Sequence, residues 1–129
     1  MASKRFQDLD VYRLAEELSE EIWQIVWEWQ LLAKDTVGKQ IIRSVDSIGA
    51  NIAEGVGRGS FQDNRRFVKI ARGSLYETHH WLRRAYCRQL LTQEQLNRLK
   101  PIIDELAPRL NAYLNSIGEV NNKRPMTND

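Results

Sequence analysis

Apolar residues recur at alternating steps of three and four in four stretches of the chain. The first stretch carries Val11, Ala15, Leu18, Ile22, Ile25, Trp29 and Leu32. A helical period of 3.6 residues places such positions on one face, whereas a strand period of two would mix them with Glu16, Glu20 and Glu28. The pattern therefore predicts four amphipathic helices, at roughly residues 8–33, 36–55, 60–91 and 93–117.

Cap and turn residues separate the predicted helices. Ser60 and Thr92 suit the N-cap positions of the third and fourth helices, because each is followed three residues later by Asp or Gln. Residues 34–36 form the predicted first connection. Three glycines that can adopt positive φ at little cost mark the second connection, namely Gly55, Gly57 and Gly59. Short connections predict an up-down antiparallel bundle.

The third and fourth helices have distinct features in this pattern. The third is predicted to bury Phe67, Ala71, Ser74, Thr78, Trp81 and Ala85. The fourth contains Pro101 and Pro108, which both lie opposite its apolar stripe and therefore predict a kinked but continuous helix. Polar residues without a period follow Gly118. We therefore predict one bundle domain over residues 1–118 and a flexible tail over residues 119–129.

Length and composition fit a single domain with one core. The chain has 129 residues, of which 42% are apolar, and it has no linker rich in proline or glycine before residue 119. The first residues lack the apolar middle of a signal peptide, and no apolar run reaches the ~18 residues that span a bilayer. A single cysteine excludes an internal disulfide. These observations predict a cytoplasmic protein with no membrane contact.

The small net charge of +2 hides a strong division along the chain. Residues 6–33 contain seven acidic side chains and one basic side chain, whereas residues 37–91 contain ten basic and four acidic ones. Such a division predicts one acidic face and one basic face, and the basic face is a candidate site for a polyanion.

The outer face of the third predicted helix carries the clearest candidate site. Basic residues recur there opposite the core stripe, and an aromatic residue interrupts them, a combination that suits phosphate contacts and one stacked base. A plain solvated face is the alternative. The candidate nucleic-acid-binding residues are Arg58, Arg65, Arg66, Lys69, Arg72, Tyr76, His79 and Arg83.

Other residues suggest structural contacts. Trp23 and Trp27 lie off the first core stripe and one turn apart, so they predict either an oligomer interface or a surface that another part of the chain covers. Three polar residues near the edges of the stripes are expected to make buried hydrogen bonds, with Arg43 or Arg58 as partners, because an unpaired buried carboxylate is costly. They are Asn51, Glu54 and Glu77.

The two histidines are candidates for metal binding or acid–base chemistry. Glu77 and His80 have the spacing found in carboxylate-bridged di-metal bundles, but that chemistry needs a second such pair, and the chain has only two histidines. We therefore predict no metal and no cofactor. Arg72 and His79 have a spacing similar to that in helical ribonucleases, although seven helical residues separate them by ~10 Å. A small ribonuclease therefore stays open as an alternative.

Short segments of the chain resemble the signature of the 23S rRNA intervening-sequence proteins, a four-helix-bundle family. They are residues 6–11 (FQDLDV), 47–55 (SIGANIAEG), 57–60 (GRGS), 66–67 (RF) and 71–77 (ARGSLYE). The resemblance covers about residues 6–117. Members are similar to the accessory variability determinant proteins of diversity-generating retroelements, which form pentameric rings and work with a reverse transcriptase and its RNA. The resemblance thus implies a homopentamer, RNA or DNA as a ligand, and a reverse transcriptase as a candidate partner.

Together, the residues and the resemblance predict a non-catalytic, oligomeric accessory protein that binds nucleic acid. Two other classes stay open, namely the small ribonuclease with Arg72 and His79 and a protein–protein adaptor.

Overall fold

The computed structural model describes residues 5–118, which form helices and no strand. Four of the helices are long, and the predicted all-α four-helix bundle is confirmed. In chain order the elements are a 3-10 turn (Phe6–Asp8), α1 (Asp10–Trp27), α2 (Leu31–Ala33), a π-helical turn (Lys34–Gly38), α3 (Lys39–Val56), α4 (Phe61–Cys87) and α5 (Gln93–Ser116).

The four long helices are arranged around the bundle in the order in which they occur along the chain. The helix α3 packs against α1 and α4, and α5 packs against α4 and α1. The helices α1 and α4 therefore lie at opposite corners. Each long helix turns its apolar stripe inward, as expected for bundle packing. The largest fully buried apolar side chains are Leu18, Ile22, Ile41, Ile48, Ile52, Leu75, Leu99, Leu106 and Leu110.

The predicted position of the first connection is wrong. The helix α1 ends at Trp27, the chain turns over residues 28–30, and residues 31–56 are helical without a break. The turn is stabilised by backbone hydrogen bonds, and Trp29 N–H donates to the carbonyl of Val26 at 3.0 Å. Gly38 permits close packing here, since a Cβ on it would lie 2.8 Å from Val26 Cγ1. Leu32 is consequently 78% exposed rather than part of the core.

The predicted core stripe of α4 is displaced by one position. Ala71, Thr78 and Ala85 are buried as predicted, but the large apolar side chains in the core are Val68, Leu75 and Leu82. The residues one position earlier, Phe67, Ser74 and Trp81, are half-buried. The helix also ends at Cys87 instead of residue 91, because Gln89 adopts a φ of 62° that no α-helix contains.

The connection between α3 and α4 covers residues 57–60, one residue later than predicted. Of the three glycines predicted to form it, only Gly59 has a positive φ, +85°, while Gly55 is part of α3. Gly55 is needed for close approach, since a Cβ on it would lie 2.5 Å from Asn64 Oδ1 of α4. The Oγ of Ser60 accepts a hydrogen bond from the Asp63 N–H at 3.1 Å, so the predicted N-cap is confirmed.

The helix α5 agrees with its predicted pattern. Thr92 and Gln95 form the capping box, and the helix continues through Pro101 and Pro108 to Ser116. The predicted tail at residues 119–129 lies outside the described part of the chain, so the division at residue 118 stays a prediction. No helix within residues 5–118 is long and apolar enough to cross a membrane.

Candidate nucleic-acid interface

The flank of α4 that faces α5 carries a row of cationic side chains. Helical steps of three, four and seven residues place the α4 members on one side of the helix, and Lys100 of α5 lies beside them. We call this row the cationic seam. It consists of Arg65, Lys69, Arg72, His79 and Arg83 of α4 and Lys100 of α5.

The charges of the seam residues in α4 have no acidic partner nearby. Within residues 5–118, no carboxylate forms a salt bridge with any of the arginines or the lysine that α4 contributes to the seam. Lys100 differs, since its Nζ lies 2.7 Å from Asp104 Oδ2. The seam therefore presents uncompensated positive charge, which attracts polyanions.

Two seam arginines also hold α5 in place. The Arg65 guanidinium donates to the carbonyls of Leu114 and Ile117 at 2.9 and 3.3 Å, at the C-terminal end of α5. Arg72 donates to Asn111 Oδ1 at 3.1 Å. Arg65 is half-buried, so the expectation of an outward-facing side chain is wrong for this residue.

Aromatic rings lie among the cations. Tyr76 is 62% exposed and follows Arg72 by one turn of α4, and Tyr86 is exposed near the C-terminal end of the helix. A ring beside a phosphate-binding row provides a surface on which a base can stack.

Two cavities open along the seam. The lower cavity, about 560 Å³, lies between the start of α4 and the end of α5 and is lined in part by Arg65, Arg66 and Lys69. The upper cavity, about 390 Å³, lies between the end of α4 and the start of α5 and is lined in part by His79 and Arg83. The seam therefore has a depression near each end.

The ribonuclease alternative gains no geometric support. A histidine that acts as general base is usually oriented by a hydrogen bond. His79 makes none within residues 5–118, and the Arg72 guanidinium is directed to Asn111.

Arg58 and Arg66, which were also predicted to bind nucleic acid, are already paired. Arg58 lies 3.4 Å from Glu54, and Arg66 lies 3.6 Å from Asp63. Both guanidinium groups also lie over the ring of Phe67, at 4.9 and 4.8 Å from its centroid. Arg66 still lines the lower cavity, whereas Arg58 lies in the connection before α4.

The flank of α4 that faces α3 is neutralised. Glu77 forms an ion pair with Arg43 of α3 and accepts a hydrogen bond from Trp81 Nε1 at 3.1 Å. The Trp81 hydrogen bond, followed by the Arg43 hydrogen bond, holds the pKa of Glu77 below its usual value. These contacts also occupy the carboxylate that a metal site with His80 would need. Residues 5–118 contain no group of three potential metal ligands.

Small polar side chains complete the contact between α3 and α4. The Thr78 hydroxyl donates to Ser44 Oγ at 3.0 Å, and the Ser74 hydroxyl donates to Ser47 Oγ at 3.1 Å. Asn51 donates to the Ser47 carbonyl at 2.8 Å, within α3.

The expected burial of the polar residues is only partly observed. Asn51 is half-buried, but the Glu54 side chain is 51% exposed, so a buried role for Glu54 is wrong. Glu54 lies near the C-terminal end of α3 and forms an ion pair with Arg58, four residues later. Both side chains of this pair are exposed.

An exposed apolar patch covers the end of α1 and the start of α2. Trp27 is 61% exposed, and its ring stacks on Trp23 with centroids 6.0 Å apart. We call these side chains the tryptophan patch; it consists of Trp23, Trp27, Leu31 and Leu32. Within residues 5–118 the Lys34 Nζ lies 4.9 Å from the centre of the Trp27 ring, and both indoles stay exposed, so the oligomer interface stays a prediction.

The acidic and basic faces lie at opposite corners of the bundle. The helix α1 carries five acidic side chains and one basic side chain, a net charge of −4. The helix α4 carries six basic and two acidic side chains, a net charge of +4.

Sequence reasoning did not find the contributions of α5. Lys100 and Asn97 line the upper cavity, and Asn111 receives the Arg72 hydrogen bond. No local signal marks these residues, because only the packing of α5 against α4 brings them to the seam.

By its fold and its seam, the protein is a small helical bundle with one cationic flank. The model of the 23S rRNA-intervening sequence protein family matches residues 7–112, so the chain belongs to this family.

One solved structure similar to this chain is a protein of unknown function from the S23 ribosomal protein family of Bacteroides thetaiotaomicron. The two are 25% identical with a TM-score of 0.72, and the match covers 82% of this chain and 99% of the other. No curated protein matches the chain.

Proposed function

We propose that this protein is a non-catalytic accessory protein that binds nucleic acid through the cationic seam. The observation that carries the proposal is that the seam arginines and lysine of α4 have no carboxylate partner within residues 5–118, whereas many other arginines of the protein do. Neutralising phosphates with such side chains releases counterions, which drives binding to nucleic acids.

The shape of the seam favours a strand of nucleic acid over a compact anion. From Arg65 to Arg83 the α4 residues extend over about 27 Å of helix. A row of this length matches successive phosphates of a chain, and Tyr76 adds an exposed ring on which a base can stack. The family name refers to 23S rRNA, which supports RNA as the ligand.

The accessory role includes self-association. The tryptophan patch exposes two indoles and two leucines, and such rings are enriched at the centres of interfaces. We infer that a second copy of the chain covers the patch. By resemblance, the assembly is a pentameric ring, and a reverse transcriptase is its candidate protein partner.

The salt dependence of binding tests the proposal. Lys69→Gln combined with Arg83→Gln removes two seam charges and leaves the Arg65 and Arg72 hydrogen bonds to α5 intact. Each phosphate contact contributes roughly 0.7 to 0.9 to the slope of log affinity against log salt, so the variant should lower the slope by about one and a half. Anisotropy of a labelled RNA oligonucleotide, titrated at several salt concentrations, measures this slope.

A charge-matched control separates the seam from general electrostatics. Arg13→Gln with Lys39→Gln removes the same charge from α1 and α3, and both residues are exposed. An equal fall in slope for both variants, or no binding of the wild type at low salt, contradicts the proposal. The adaptor function would then take its place. RNA cleavage by the wild type that disappears in His79→Ala would establish the ribonuclease alternative instead.

Self-association has its own test. Trp23→Ala with Trp27→Ala should dissociate the assembly while the protomer stays helical, because a few aromatic residues dominate most interface energies. Light scattering and circular dichroism measure the two properties. A monomeric wild type at micromolar concentration contradicts this part of the proposal.

A further inference from the structure

The upper cavity differs from the rest of the seam in having an apolar floor. It lies between the C-terminal half of α4 and the N-terminal half of α5 and has a volume of about 390 Å³. The floor is formed by Leu82, Leu96, Leu99 and Ile103. Small-molecule sites combine this kind of apolar surface with a few polar groups and begin at about 300 Å³.

Basic side chains lie at the rim of the upper cavity. His79 and Arg83 of α4 line one side, and Lys100 of α5 lines the other. The one acidic side chain among the lining residues is Asp104, which is paired with Lys100. An anionic group at the rim would therefore meet the Arg83 guanidinium, which has no carboxylate partner within residues 5–118, while the part of a ligand that enters the cavity must be apolar.

Amide groups give the rim a means of recognising a flat polar ring. Gln93 Nε2 donates to Asn97 Oδ1 at 3.0 Å, which fixes both side chains beside the cavity. No acceptor within residues 5–118 receives a hydrogen bond from the Asn97 amide nitrogen. Tyr86 contributes a half-exposed ring to the same wall.

We propose that the upper cavity receives one unpaired nucleobase of a strand whose phosphates lie along the cationic seam. A nucleobase has two apolar faces, which match the floor, and a polar edge, which matches the amides. The phosphates of its strand stay outside the cavity, at the charged rim. Splayed bases of single strands are recognised by such stacking and edge contacts. This inference rests on the proposed function and adds to it a preference for single strands.

Three labelled ligands of equal length test the inference. They are a single-stranded RNA, the same RNA in a duplex, and the same single strand with abasic positions in place of its central bases. The cavity predicts about tenfold weaker binding of the duplex and of the abasic strand at one salt concentration, the size expected for losing one base contact. The abasic strand should keep the salt slope of the intact strand, because its phosphates are unchanged.

A variant at the cavity mouth connects the effect to this site. Asn97→Leu fills the mouth and removes the amide at an exposed position, so the fold should be retained. Its preference for the intact over the abasic single strand should be smaller than that of the wild type, and the remaining preference is due to stacking on Tyr76. Gln24→Leu makes the same kind of change at an exposed position of α1 that does not line the upper cavity, and it should behave as the wild type.

A fluorescent base reports insertion directly. 2-Aminopurine at a central position should change its emission more on binding to the wild type than on binding to Asn97→Leu. Adenosine and uridine monophosphates should compete only weakly, since a single nucleotide engages few of the seam charges. Strong competition by a free nucleotide would reassign the cavity to a soluble nucleotide and overturn the inference.

The results distinguish the inference from the proposed function. Salt-dependent binding that is equal for single strand, duplex and abasic strand overturns the inference and leaves the proposed function intact. Absence of any binding at low salt overturns both.

Discussion

The two flanks of α4 differ in nearly every physical property. Against α3, small residues let the backbones approach, hydroxyl groups pair across the interface, and Glu77 is neutralised by Arg43. Against α5, the seam of α4 carries positive charge without carboxylate partners, and two cavities open to solvent. One helix thus provides a closed structural contact on one side and an open, positively charged surface on the other.

This contrast changes the meaning of the residues that resemble the family signature. Ser47 and Gly55 of α3, and Ser74 and Glu77 of α4, all lie at the closed α3 contact. This part of the signature therefore describes how two helices pack. Arg72 and Tyr76 belong to the same signature segment, residues 71–77, but lie on the opposite flank among the candidate binding residues. The signature thus covers both flanks, and belonging to the family fixes the fold more firmly than the ligand.

The largest expected effect on stability comes from the substitution of Gly55. Gly55→Ala should lower the free energy of unfolding by about 1–3 kcal/mol, because the new methyl group meets Asn64 Oδ1 and the Asn64 carbonyl at the closed contact. Gly73→Ala is the matched control in α4, where nothing lies within 4 Å, and it should stabilise the protein by about 0.5–1 kcal/mol. Urea denaturation measures both. Equal effects of the two changes would mean that the α3 contact is not tightly packed.

Arg65 provides the second test, since it belongs to the open flank but holds α5. Arg65→Gln should lower the free energy of unfolding by about 1 kcal/mol, because the carbonyls of Leu114 and Ile117 lose a charged donor. Lys69→Gln, one turn further along α4, should change stability little. If both variants are neutral in thermal denaturation, the cationic seam plays no structural role.

The smallest effect concerns the pH dependence of Glu77. Its pKa is lowered in the folded protein, so its ion pair stabilises the fold above the usual carboxylate pKa of 4.5 and is lost as the pH falls through the lowered value. Glu77→Gln should therefore cost about 0.2–1 kcal/mol at pH 7, and the difference from the wild type should shrink below pH 4. Denaturation at pH 3, 5 and 7 measures this. A difference that does not depend on pH would exclude the ionic contribution.

The fold was predictable because its signals are local. The capping box at Thr92 and the N-cap at Ser60 depend on residues three positions apart, and both are observed. The turn at residues 28–30 was not predictable, because it contains no glycine or proline and the helical spacing of apolar residues continues through Trp29 and Leu32. In α4, adjacent apolar residues such as Phe67 and Val68 are compatible with two different buried faces of the helix. Only the position of α3 decides which face is buried.

The candidate site was predictable only in part. The charged face of α4 is visible in the sequence, because its members share one helical period. The partners of Arg65 are backbone carbonyls 49 and 52 residues away, and Lys100 belongs to another helix. Such contacts depend on tertiary packing, and no pattern along the chain indicates them.

The opposed charges of α1 and α4 also affect how a ligand arrives. A net charge of −4 at one corner and +4 at the opposite corner gives the protein an electric dipole across the bundle axis. In the field of a polyanion this dipole orients the protein so that the seam faces the polyanion before contact. This orientation raises the association rate constant in dilute salt. Because the orienting field is screened beyond about 10 Å at 0.1 M salt, the advantage disappears as ionic strength rises.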